Sequence, residues 1–173
     1  NILNIEWTDN TLIPYDYGYF SFIYNDENLN NPPNSLAELV SRKDINIVVQ
    51  DPRTSTPGLG LLLWIKSVYG DRSSEVWEEL NKKIITYTPG WSESYGMFLE
   101  NEADMVLSYT TSPAYHQMYE GEKKYKSANF VEGHYSQIEL AGIIKNSNNI
   151  PLAEKFLDFL LSEDAQTEIT TKN

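Results

Sequence analysis

The 173-residue chain reads as an α/β layered fold on two observations. Short apolar, β-branched runs alternate along it with amphipathic segments of helical period. One junction, in which a strand runs into a hydroxyl-rich turn and then a proline-started helix, occurs twice. The first is INIVVQDPRTSTPGLG, from Ile45 to Gly60. Here Ile45, Ile47, Val48 and Val49 form a buried strand, Gln50 to Thr56 a polar loop, and Pro57 the first helical residue. In the second, Met105-Val106-Leu107 is the strand, Ser108-Tyr109-Thr110-Thr111-Ser112 the turn and Pro113 the helix start. Ligands of such folds gather at the carboxyl ends of strands, where both turns fall, so a shared cleft is expected.

Taken in order, Asn1 to Leu12 is polar and carries no clear element. Tyr15 to Tyr24 is dense in aromatics, which suit a strand, and Gly18 marks a bend or a close backbone approach. Asn25 to Asn34, with Pro32-Pro33, is loop. Ser35 caps a short helix and Glu38 completes a capping box. Pro57 to Tyr69 is the first substantial helix, stopped by Gly70. Ser74 to Lys82 is the next and buries Val76, Trp77 and Leu80. A strand at Ile84 to Thr88 leads to Pro89-Gly90-Trp91, after which Ser92 caps a helix whose face carries Tyr95, Phe98 and Leu99. Glu120 to Glu132, with Lys123, Lys124 and Lys126, reads as solvated surface. Tyr135 to Ile144 is a long strand, and Pro151 to Leu161 and Ser162 to Ile169 are helices.

The length suits one domain with a sizeable core, and 40% hydrophobic with 22% charged residues is globular composition. A net charge of -12 opposes approach to nucleic acid or an anionic membrane. With no cysteine, disulfides and thiolate metal sites are excluded. No run reaches the roughly 20 apolar residues of a membrane span. The chain opens at Asn1 without Met or a signal peptide, from which a processed or excised piece is expected.

The chemistry points to binding rather than turnover. Unpaired N–H groups at a helix start, beside hydroxyls and at the positive end of the dipole, suit a phosphate or carboxylate; alternatively Ser55 or Thr56 merely caps the helix. His116 and His134, the two histidines, match no metal spacing. Ser55 and Ser112 lack a nucleophile elbow and a histidine partner. Asp51 is an acid–base candidate or a turn former, and Arg53 meets an anion or pairs with a neighbouring carboxylate. The Gly58-Leu59-Gly60 run is no P-loop and instead permits tight helix packing. Trp64 and Trp77 lie within helices and are assigned to the core. Trp91, at a strand end, is either buried or placed to stack on a flat ligand; Tyr109 can stack or donate a hydrogen bond. Anion-holding turns with aromatic walls and no reactive group describe a binding pocket.

At these same residues the chain resembles a known family. VVQDPRTSTPGLGLLLW, PGWSESYG and MVLSYTTSPAYH, with PYDYGYF upstream and NFVEGHY downstream, are similar to the periplasmic thiamine-binding proteins of bacterial ABC importers, in order and across nearly the whole chain. The resemblance implies a type II solute-binding fold, of which this chain is one lobe: a central mixed sheet flanked by helices, plus hinge strands. It implies capture of thiamine, thiamine monophosphate or thiamine diphosphate as transported ligand, delivery to ABC permease subunits, a periplasmic location (soluble or lipid-anchored), no enzymatic step and no cofactor. Carried over residue by residue, the ligand-binding set is Ser55, Thr56, Trp91, Tyr109, Thr110, Thr111, Ser112 and Tyr115. The hydroxyl turns are assigned to the phosphate or hydroxyethyl end of the ligand, and Trp91 and Tyr109 to its flat rings, where a cationic thiazolium meets a ring face.

Family members are longer at both ends. Residues 14–144 are therefore expected to form the second lobe with its hinge strands, one crossing near Tyr15 to Tyr24 and the other at Tyr135 to Ile144. Residues 1–13 and 145–173 are expected to be hinge-proximal segments returning to a largely missing first lobe. About half a cleft, weak thiamine affinity for the chain alone and exposed apolar surface are the consequences. Three alternatives stand beside it. One is a ferric or anion importer component of the same architecture; another is a phosphate-handling hydrolase or transferase using Ser55 or Asp51. The third is an interaction module with Trp91 at a protein interface.

Overall fold

The computed structural model describes residues 7–172 and divides the chain into two compact units, Gly18–Gln137 and the pair of segments 7–17 and 138–172. The expectation for Asn1 to Glu6 lies outside the described residues.

The larger unit is built on a mixed sheet in the order β3-β2-β4-β1-β5. Its strands are β1 (Leu12–Asn25), β2 (Ile47–Gln50), β3 (Ile84–Thr88), β4 (Met105–Tyr109) and β5 (Tyr125–Ser127). Strand β2 runs parallel to both β3 and β4, whereas β1 is antiparallel to β4 and β5. The helices are α1 (Leu36–Ser41), α2 (Thr56–Tyr69), α3 (Ser73–Asn81), α4 (Trp91–Leu99) and α5 (Ser112–Tyr115).

Period-two alternation sends β-strand side chains to both faces, and both faces are covered. Phe20, Phe22, Ile47, Val49, Met105 and Leu107 pack with Leu61, Trp64 and Ile65 of α2 and Leu80 of α3. Ile23, Val48 and Val106 pack on the other side with Tyr95 and Phe98 of α4. Helices on both faces of the mixed sheet explain why the central strands are unbroken apolar runs.

Several boundaries differ from the sequence reading. Helix α4 is capped by Gly90 in extended conformation, not by Ser92, because Trp91 already takes the first helical position. Leu99 is exposed, and Ser94 takes a buried place on that helix beside Tyr95 and Phe98. Trp77 is only partly buried against the core that encloses Trp64. Ser108 and Tyr109 extend β4 instead of belonging to the turn, since Phe20 and Ser21 of β1 pair with them. The segment expected to be solvated surface contributes β5, on the edge beside β1, together with buried Ala128 and Phe130. Lys124 and Lys126 there pair with Glu122 at 3.4 Å and Asp26 at 3.7 Å. Ser35 does cap α1, accepting from the Glu38 amide at 3.0 Å, but the Glu38 carboxylate returns to the amide of Asn34.

The smaller unit takes in the first residues of β1, 12–17, and most of β6 (Ser136–Gly142), with α6 (Ile150–Leu160) and α7 (Glu163–Lys172). The Tyr15 hydroxyl donates to Glu139 at 2.6 Å, which raises the phenol to about 12. Gln166 Nε2 donates to the carbonyls of Tyr15 and Leu160. Helix α6 buries none of its residues, and Leu152, Phe156 and Phe159 are exposed. No helix among the described residues is long and apolar enough to cross a membrane.

Candidate functional site

Because β3, β2 and β4 are adjacent and parallel, their carboxyl ends lie side by side on one edge of the sheet. The segments leaving that edge are Asp51 to Ser55, Pro89-Gly90 and Thr110-Thr111, so three polar connections and the starts of α2, α4 and α5 share it.

Hydrogen bonds join these connections. Thr54 Oγ1 donates to the Pro89 carbonyl at 2.7 Å, and the Asp51 amide to the Thr88 carbonyl at 2.8 Å. From the Pro89-Gly90 connection, Trp91 reaches across: its indole Nε1–H donates to Ser108 Oγ at 2.7 Å. Ser108 Oγ in turn meets Ser112 Oγ at 2.7 Å. Beneath them the buried Gln50 amide donates to the Leu107 carbonyl at 3.0 Å and to Ser94 Oγ. The first hydroxyl turn, the tryptophan and the second hydroxyl turn are thus one connected array.

Helix α2 approaches this edge closely because of its glycines. A Cβ on Gly58 would lie 2.3 Å from the Gln50 carbonyl oxygen, and one on Gly60 would lie 2.0 Å from the Phe20 ring. The two glycines therefore seat the helix start on the strand end, as their spacing predicts. Ser55 is the N-cap residue, yet its side chain makes no capping bond; Ser55 is half-buried and Thr56 exposed. Arg53 is committed to Asp51, with Nη2 to Oδ2 at 2.6 Å, and holds that carboxyl down at about 2. This resolves its role in favour of the carboxylate pair.

The aromatic members are Trp91 and Tyr109. Trp91 is 39% exposed and stacks on Tyr95 with centroids 4.7 Å apart, so it is not sunk in the interior. The Tyr109 ring lies 5.2 Å from Phe20 and its hydroxyl donates to Gln137 at 3.0 Å. Thr110 is half-buried and Thr111 exposed at the N-cap of α5. Tyr115 sits farther along α5, half exposed, against Tyr119 and the edge of His116. It stands apart from the hydrogen-bonded array.

Both imidazoles are occupied elsewhere. His116 meets Tyr95 and Glu120, and His134 meets the Phe20 carbonyl and the Phe130 amide. Neither bonds to Ser55 or Ser112, so no serine–histidine pair is formed at either hydroxyl turn. Among the described residues no cluster of three or more His, Cys, Asp or Glu is placed to hold a metal.

A profile for the family "Bacterial extracellular solute-binding protein" matches residues 9–172. The chain belongs to that family. The chain is 54% identical over 168 residues to the "Thiamine-binding periplasmic protein" of Escherichia coli, covering 96% of this chain and 51% of that protein. It is 53% identical to the protein of the same name from Brucella melitensis, over 97% of this chain and 51% of the relative. The solved structure titled "Periplasmic thiamin binding protein" superposes with a TM-score of 0.92 at 54% identity, over 95% of this chain and 52% of that one. The chain therefore spans about half the length of these relatives, and the mixed sheet flanked by helices is the fold of periplasmic solute-binding structures.

Sequence reasoning missed the supporting members of the array: Gln50, Thr54, Ser94, Ser108, Tyr95 and His116. Ser108 and Thr54 were placed within the hydroxyl turns but not among the ligand residues. Gln50 ending an apolar strand, and His116 next to a tyrosine, had no local signal, since their partners lie far along the chain.

Proposed function

We propose that this chain is part of the solute-binding component of an ABC importer that captures thiamine and its phosphate esters and passes them unaltered to membrane permease subunits. The observation that carries the reading is the joining of Thr54, Trp91, Ser108 and Ser112 at one strand-end edge, in a chain 54% identical to a thiamine-binding periplasmic protein. The ligand set is Ser55, Thr56, Trp91, Tyr109, Thr110, Thr111, Ser112 and Tyr115. Ser55 and Thr56, at the start of the long α2, take the phosphate or hydroxyethyl end, where N–H groups and the helix dipole favour an anion. The exposed Trp91 ring takes the cationic thiazolium. Thiamine is cargo, no cofactor takes part, and the protein works in the periplasm, whether soluble or lipid-anchored.

In domain terms, residues 14–144 serve as one lobe with its hinge strands, and 1–13 with 145–173 belong to the return into the other lobe. The chain carries about half of the cleft. Calorimetry on the full-length protein with thiamine, its monophosphate and its diphosphate tests the reading. Trp91→Ala is expected to weaken thiamine binding about tenfold, about 1.4 kcal/mol, within the range of a desolvated cation–π contact. An unchanged isotherm removes Trp91 from the site. The chain alone is expected to bind thiamine weakly, and submicromolar binding by it would overturn the half-cleft.

A further inference from the structure

Behind the exposed ring of Trp91 lies a buried stack. Tyr95, 5% exposed, lies under Trp91 with its ring tilted by 25°. His116, 3% exposed, lies parallel to Tyr95 within 9°, with centroids 5.7 Å apart, and 4.3 Å from the ring of Tyr125. Both ring nitrogens of His116 are engaged: Nδ1 with Glu120 Oε2 at 2.6 Å and Nε2 with the Tyr95 hydroxyl at 2.9 Å. With Nδ1 donating to the carboxylate, Nε2 of the neutral imidazole accepts the Tyr95 phenol proton. Burial pushes the Tyr95 phenol up, which keeps it a donor. The five-residue π-helical turn His116–Glu120 presents both His116 and Glu120 to this arrangement.

We infer that His116 is a positioning residue for ligand capture: held by Glu120, it fixes Tyr95, and Tyr95 fixes the ring plane of Trp91. The inference rests on the proposed role of Trp91 as a ligand contact. Trp91 is then gripped at its edge by Ser108 and on one face by Tyr95, while the residue stays 39% exposed. An aromatic held in place before the ligand arrives loses less freedom on binding, so the brace contributes affinity without touching the ligand.

A double-mutant cycle in the full-length protein decides it, with thiamine as the calorimetric probe. His116→Gln is expected to weaken binding three- to tenfold. In a Trp91→Phe background the same change is expected to cost less than twofold, because the ring it orients is gone. Equal losses in both backgrounds would mean His116 acts only on general stability and would overturn the inference. A ligand-free measurement runs beside it: the Trp91 indole N–H resonance, assigned by its disappearance in Trp91→Phe, is expected to shift in His116→Gln. An unmoved resonance also overturns the brace. If the wild type binds none of thiamine, its monophosphate and its diphosphate, the proposed function fails while the resonance still decides the positioning. Should His116→Gln not fold, Tyr95→Phe, which keeps the stacked ring and removes only the hydroxyl, takes its place with the same expected outcomes.

Discussion

At the end of β2 the chain reads Thr54-Ser55-Thr56-Pro57, and at the end of β4 Thr110-Thr111-Ser112-Pro113. The residue types, the strand before and the proline after are nearly the same. The first junction opens a 14-residue helix whose N-cap side chain makes no capping bond. The second opens a 4-residue helix that widens at once into a π-helical turn, and its Ser112 hydroxyl is bonded to Ser108. The residues after the proline decide between them. Gly58 and Gly60 let α2 settle onto the strand end and the Phe20 ring. After Pro113 no glycine intervenes, and His116 turns inward to Tyr95. The first junction thus ties Thr54 to the Pro89 carbonyl and leaves Ser55 without a capping bond, whereas the second ties Ser112 to the Ser108 hydroxyl that holds Trp91.

The largest expected effect breaks the first junction. Gly58→Ala puts a methyl against the Gln50 carbonyl, a backbone atom that cannot swing aside, and is expected to destabilise by on the order of 3 kcal/mol in urea unfolding. A near-neutral result would mean that α2 does not need this approach. Next comes the second junction. Ser108→Ala leaves the indole N–H of Trp91 and the Ser112 hydroxyl without their partner, costing about 1–2 kcal/mol, with a change in Trp91 emission. Unaltered emission would show that Ser108 does not hold the ring.

Ser55→Ala sharpens the contrast. Because the hydroxyl caps nothing, its loss should change stability by under ~0.5 kcal/mol, against ~1 for a working cap, while binding of thiamine diphosphate falls. A full capping loss would assign Ser55 to structure. The smallest effect is at Arg53. In the wild type the Asp51 carboxyl titrates at about 2, and in Arg53→Ala it should return toward its ordinary 3.8 in a carbon-detected titration. A depressed carboxyl contributes stability above its unfolded value and loses it as pH falls through the folded one. The two proteins should therefore differ near neutrality and converge below about pH 2. The Arg53 side chain is 85% exposed, so solvent screens the pair and the difference is small.

Read from residues alone, the alternation of strands and helices, both hydroxyl turns, the tight Gly58–Gly60 packing and the core place of Trp64 were all legible. Each leaves a signal in its own stretch, where periodicity, capping preference and proline geometry act, although the contacts that Gly60 and Trp64 make, with Phe20 and Phe130, are tertiary. Tertiary pairing decided the rest. Ser108 and Tyr109 became strand because β1 lies beside them. Trp91 found Ser108 across 17 residues, Tyr95 found His116 across 21, and Gln50 found Ser94 across 44. Local preference carries no information about a partner that distant. Such bonds exist only once burial has closed the chain on itself, and there a polar group left without a partner is costly enough to select its neighbour.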